Sequence, residues 1–185
     1  MTRLSAPRVQ PLPESQWNDE ARELLEGMRR EGRVYNIFAT LARHPKLLKR
    51  WLVFGNHILG KSTLPARERE IVILRTGWLC RAEYEWGHHM AIGGEVGLSD
   101  NEIRRISDGP SAPGWDQFET TLLQAVDELH ANAFISDATW KALAERYTIE
   151  QLIDLVFTVG QYHMVSMALN SLGVQLEDGF QGFKK

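Results

Sequence analysis

Cysteine is almost missing from this sequence. Cys80 is the only one in 185 residues, which excludes an intramolecular disulfide, a zinc cluster built from cysteines and any Cys-x-x-Cys redox pair. An excess of basic charge is also missing. The 21 Lys and Arg against 24 Asp and Glu give a formal net charge of -3 and a pI near 6.1, so there is no footprint for nucleic acid. The local clusters Arg29-Arg30 and Lys46 to Arg50 read as solvated helix faces. No apolar stretch reads as long enough to cross a bilayer, and MTRLSAPRVQPLP lacks the apolar core of a signal peptide. The expected location is therefore the cytoplasm, without membrane contact. Period-2 alternation is lacking as well. Ile71 to Leu74 could imitate a strand but sits inside a longer helical period. No short-period repeat suggests a solenoid.

What is present is the composition of a folded domain, 43% hydrophobic and 24% charged, at a length suited to a single domain. The pattern is all-α. Residues 1–13 carry three prolines and no helical period, which predicts an extended arm. From Ser15 to about Arg30, the spacing of Trp17, Ala21, Leu24, Leu25 and Met28 predicts one helix, ended by Gly32. A short helix follows over Asn36 to Arg43. Pro45 opens another, with Leu47, Leu48, Trp51, Leu52, Ile58 and Leu59 on one face. A helix from about Pro65, capped by Ser62 or Thr63, turns Ile71, Leu74 and Trp78 inward. The next runs from about Ala82 to Val96 and stops at Gly97. Ser99-Asp-Asn-Glu102 is a capping box, as is Thr148-x-x-Gln151. Residues 108–115 form a loop, and helices are expected at 116–132, 136–146 and 148–172. The Gly-rich tail beyond Gly173 is expected to fray. One domain thus divides into an arm (1–13), N-terminal helices (14–60), a core (61–174) and a tail (175–185).

Glu85 and His89 stand four apart, on one face of a helix about one turn from each other. A carboxylate orients an imidazole and raises its pKa, which suits proton transfer near neutral pH. Taken alone, such a pair is more often a solvated ion pair. Its neighbours Trp78, Tyr84, Trp86 and Met90 argue for burial, where ionisable groups need partners. Glu70 could bring a second carboxylate from the preceding helix, although Arg67 or Arg69 could equally pair with it on the surface. His163 and His57 are polar residues in apolar helices, either pocket-lining or satisfied in the core. His88 points about 100° away from His89, so the two are not expected to share a centre. No His-Glu-x-x-His or comparable spacing exists, and no metal is expected.

The stretch ARERE-IVILRTGWLCRAEYEWGHHMAIGGEVGLSDNEI, residues 66–103, resembles the core motif of the carboxymuconolactone decarboxylase and alkylhydroperoxidase-D superfamily. That motif is a glutamate, a Cys-x-x-Cys in the peroxidase branch, and a histidine four residues after the second cysteine. Anchored on His89, the two cysteines fall at Ala82 and Glu85 and the glutamate at Glu70. The similarity extends with less specificity to NIFATLARHPKLLKRW and to LIDLVFTVGQYHMVSMALNSLGV. The resemblance implies a helical protomer assembled as a trimer or hexamer and a cofactor-free site with catalytic His89, Glu85 and Glu70. It implies a lyase acting on a small carboxylated lactone or unsaturated acid, of the kind met in aromatic catabolism. Trp86, Trp78, His163 and His57 are the candidates for substrate contact. Thiol peroxidase activity is not expected without the cysteine pair. An isomerase, hydratase or cyclase, or a non-catalytic oligomeric binding module, are the other readings of the same residues.

Overall fold

The computed structural model describes residues 4–30 and 32–183. The first three residues of the expected arm and the last two of the tail lie outside the described residues. Among those described, the chain is all-α, and its only β-type pairing is an isolated bridge between Arg30 and Arg33. The helices are α1 (Asp19–Glu26), α2 (Asn36–Leu41), α3 (Pro45–Gly60), α4 (Ala66–Leu79), α5 (Glu83–Glu95), α6 (Asp100–Asp108), α7 (Gln117–Asn132), α8 (Asp137–Ala144) and α9 (Ile149–Leu172).

α4 is the hub, packed against α5, α6, α7 and α9. Every residue from Glu70 to Gly77 is buried, so the middle of α4 has no solvent face and its polar side chains must find partners inside. Arg75 forks onto Asp127 at 2.7 and 2.9 Å and donates to the carbonyls of Ile106 and Ser107. Glu68 accepts from Tyr147 Oη at 2.5 Å and pairs with Arg146. Glu70, wholly buried, turns toward α5. Gly77 permits the close approach of these two helices, because a Cβ there would lie 3.4 Å from the Cβ of Glu85.

Several local expectations are corrected. The helix expected over Ser15 to Arg30 is a single 3-10 turn, Glu14–Gln16, followed by α1. The break lies at Asn18, whose extended backbone and side chain, accepting from Ala21 N–H at 2.8 Å, start a new helix. Ser62 and Thr63 do not cap α4, whose N-cap is Pro65. They bind the buried Asp154 of α9 instead, Thr63 through its N–H at 2.6 Å and its hydroxyl at 2.8 Å. Leu47 and Leu59 are exposed while Leu48, Leu52 and Ile58 are buried, so the inward stripe of α3 is narrower than expected. Trp78 is 36% exposed rather than turned into the core.

α9 is 24 residues long, and an 18-residue stretch within it has a mean hydropathy of 1.3. By length and composition alone it is long and apolar enough to span a bilayer, contrary to the sequence reading. More than half of its apolar window, 56%, is buried against the rest of the chain, as in a core helix. The tail does not fray over its described residues. It crosses α5 at Gly87, where a Cβ would meet the Leu176 side chain at 2.8 Å. Glu177 then accepts from Asn36 N–H at 2.6 Å, Tyr84 Oη at 2.8 Å and His88 Nε2 at 2.6 Å. Burial alone would raise the Glu177 carboxyl, but these three donors outweigh it and hold its pKa below the usual range.

Candidate active site

His89 stands on α5 with a carboxylate at each ring nitrogen. Its Nδ1 lies 2.6 Å from Glu70 Oε2, a short charge-assisted contact. Its Nε2 lies 3.4 Å from Glu85 Oε2, one turn back on the same helix. Side-chain exposure is 5% for His89, 6% for Glu85 and zero for Glu70, so all three ionisable groups are out of bulk water. Tyr162 of α9 packs edge-on against the imidazole, with ring centroids 5.0 Å apart. Arg69 Nε sits 3.4 Å from Glu70 Oε1 and offsets part of the negative charge.

Burial by itself pulls the imidazolium pKa down. The charge and hydrogen bond of Glu70, followed by those of Glu85, outweigh it and hold His89 at about 9. At neutral pH His89 is thus a cation with a proton on each nitrogen. The Nδ1 proton is committed to Glu70. The Nε2 proton faces Glu85 at a distance beyond the usual hydrogen-bond range and is the one available for transfer.

Glu85 and His89 form part of the wall of a cavity of about 320 Å³, at the small end of small-molecule sites. Its walls are mainly apolar and aromatic. Tyr35, Ile37 and Phe38 come from around α2, Trp51, Leu52 and Ile58 from α3, and Tyr162 and Val165 from α9. The N-terminal helices therefore close the space in front of His89. Among the described residues, Arg30 is the only Lys or Arg that lines it. Two polar atoms of lining residues, Trp51 Nε1 and Gln161 Oε1, have no protein hydrogen-bond partner among the described residues. Both side chains flank Gly55, whose missing Cβ leaves room between them.

The structure thus brings Glu70, Glu85 and His89 together, and places the four expected substrate contacts elsewhere. Trp78 and Trp86 stack on each other and on Phe183 of the tail. His57 is bonded to Asp154 at 3.0 Å. His163 faces His130 at 2.8 Å. None of the four lines the cavity. His88, expected to stand apart from His89, lines the same cavity while keeping its own partner, Glu177. Cys80 is the C-cap of α4 and is followed by Arg81 at a φ of 52°. The chain turns there, and Cys80 is not in the cavity wall. Tyr162, Trp51, Gln161, Arg30 and Glu177 were missed. Tyr162 was within reach of the pattern: Leu155, Val159, Tyr162 and Leu169 share one helical stripe, and its neighbour His163 is turned about 100° from it.

Residues 45–128 match the carboxymuconolactone decarboxylase family. Over that segment the chain is similar to this family. No curated protein matches it. Among solved structures, the chain is similar to a peroxidase-related protein with an alkylhydroperoxidase-D core from Ralstonia eutropha JMP134, with a TM-score of 0.80, 19% identity and 92% of each chain covered. A peroxidase-related protein from Silicibacter sp. TM1040 superposes with a TM-score of 0.78 at 18% identity, covering 97% of this chain and 93% of that one. The debrominase Bmp8 superposes with a TM-score of 0.76 at 16% identity over 92% of each chain, and was also solved in complex with 2,3,4-tribromopyrrole. At these identities the likeness shows the alkylhydroperoxidase-D helical fold.

Proposed function

We propose that the protein is a cofactor-independent acid–base enzyme in which His89 delivers a proton to a carbanionic or enolate carbon of a small, flat, carboxylated substrate. The observation that carries this reading is the asymmetry at His89. Nδ1 is locked to a fully buried carboxylate at 2.6 Å, while Nε2 is loosely held at the cavity wall. Glu70 is the residue that orients and charges the ring. Glu85, at the cavity side, relays a proton from solvent to Nε2 after each turnover, replacing the one left on the product carbon. The sequence pairs Glu85 with His89 as its orienting carboxylate, whereas the closer contact to the ring comes from Glu70.

For a carboxylated lactone, the bond from the ring to the carboxylate carbon breaks and carbon dioxide leaves. Its electron pair enters the conjugated lactone carbonyl as a dienolate. The Nε2 proton of His89 then adds to carbon, leaving the decarboxylated lactone. The apolar wall of Ile37, Phe38, Trp51 and Tyr162 removes water from the reacting carboxylate, which raises its energy relative to neutral carbon dioxide. Arg30 supplies the charge to anchor a second carboxylate at the rim. Trp51 Nε1–H and Gln161 Oε1 offer a donor and an acceptor to the polar end of the substrate. Reductive removal of a halogen, by contrast, needs a two-electron donor, and the side chains of this cavity include no thiol. We further infer a homo-oligomer, trimeric or hexameric, supported by the exposed stripe Ile149, Ile153, Phe157 and Met164 along α9.

The test is to incubate the purified protein with 4-carboxymuconolactone and follow carbon dioxide release and the product by NMR. Stoichiometric release supports decarboxylation. Proton exchange or a shifted double bond without release moves the reaction to an isomerase on the same residues. No change in any small carboxylated lactone offered removes the lyase reading.

A further inference from the structure

Cys80, His130 and His163 come together at the junction of three helices. Cys80 closes α4, His130 lies in the last turn of α7, and His163 sits midway along α9. One ligand atom from each, the thiol sulfur and an imidazole nitrogen from each histidine, lies within 4.8 Å of the others. None of the three lines the cavity in front of His89. The proximity comes from tertiary packing, since the residues are separated by 50 and 33 positions in the sequence.

The orientation of the rings fits ligation. His163 Nδ1–H donates to the carbonyl of Val159 at 2.9 Å, which fixes the tautomer and leaves Nε2 with a lone pair. A backbone hydrogen bond at the far nitrogen is the usual support of a metal-bound histidine. That Nε2 faces His130 Nδ1 at 2.8 Å. Tetrahedral zinc, with bonds of about 2.0–2.1 Å to nitrogen and about 2.3 Å to sulfur, needs ligand atoms roughly 3.3–3.6 Å apart. Ligation would bring the three ligand atoms, already within 4.8 Å of one another, to that spacing by turning the exposed His130 ring and the Cys80 side chain. Asn170 Nδ2–H holds the Cys80 carbonyl at 3.0 Å, fixing the turn against α9. Asp127, one turn before His130, is occupied by the Arg75 fork and is no rival ligand.

We propose that Cys80, His130 and His163 form a binding site for a borderline-soft divalent transition metal, zinc in the first instance. One thiolate and two imidazoles give a three-ligand set that suits tetrahedral zinc, with its fourth position open to water. The site clips the end of α4 to α7 and α9, away from the acid–base centre.

The test uses the full chain freed of metal by chelation, with cobalt as a spectroscopic stand-in for zinc. The parent protein binds one cobalt per chain and shows a thiolate-to-cobalt charge-transfer band in the near ultraviolet. Cys80→Ser abolishes that band. His130→Ala, at an exposed position that leaves folding intact, weakens zinc binding by at least about tenfold. Zinc at about 100 times its Kd raises the parent Tm by roughly 5–10 °C and leaves the Tm of Cys80→Ser close to its metal-free value. No charge-transfer band in the parent, or parental zinc affinity in His130→Ala, overturns the proposal.

Discussion

Replacing His89 by alanine is expected to lower turnover roughly 10²–10⁴-fold, the usual contribution of a positioned general acid or base. The loss arises because no other side chain in the cavity wall combines a proton at neutral pH with a place between two carboxylates. Alanine also leaves Glu70 and Glu85 facing each other in a buried space without their cation, which costs stability. His89→Gln separates the two effects. Its amide still donates to Glu70 and fills the space, yet it cannot deliver a proton. The same fall in turnover is expected in His89→Gln with a normal circular dichroism spectrum. A folded His89→Gln protein with the parental rate would remove His89 from the chemistry.

Glu70→Gln is expected to act on stability and on pH dependence together. Glu70 is the largest of the influences that raise the His89 pKa to about 9, against the opposing pull of burial. Without that charge burial prevails, and His89 loses its proton at a lower pH. Breaking a buried ion pair costs about 3 kcal/mol at the low end, since His89 can shed its proton, which corresponds to a fall in Tm of roughly 6–12 °C. In the folded parent the His89 pKa lies above its unfolded value of 6.5. The stability it contributes is therefore complete below pH 6.5 and is lost as the pH rises through about 9. The gap in Tm between parent and Glu70→Gln should be widest near pH 6 and should narrow above about pH 9. Because the protonated ring is the acid, the alkaline limb of the parental rate profile should fall near pH 9, and that of Glu70→Gln at lower pH. A gap in Tm that does not change with pH, or unmoved limbs, would break the link between Glu70 and the charge on His89.

Much of the helical frame was legible because its signals are local. The capping boxes at Ser99 and Thr148 start α6 and α9 where the pattern places them, and Pro45 opens α3. The meeting of Glu70, Glu85 and His89 was legible for a different reason. Two of the three are one helical turn apart, and the motif supplies the third. What the sequence did not show is what depends on tertiary direction. His163 and Tyr162 are neighbours, and one step of about 100° decides which of them reaches His89. Trp78 and Trp86 flank the Glu85–His89 pair in the sequence, but the tail residue Phe183 packs against their rings. The tail itself read as polar and loose, and its docking rests on Glu177, a single carboxylate whose partners come from α2 and α5. No pattern within the tail announces such partners.

The most direct measurement is a titration of the His89 imidazole by nitrogen-15 NMR, with His89→Gln used to assign the resonance among the six histidines. The account predicts a ring protonated on both nitrogens at neutral pH, with a downfield Nδ1 proton shared with Glu70 and a midpoint near pH 9. A ring that is neutral at pH 7, with a midpoint at or below 6.5, would contradict it.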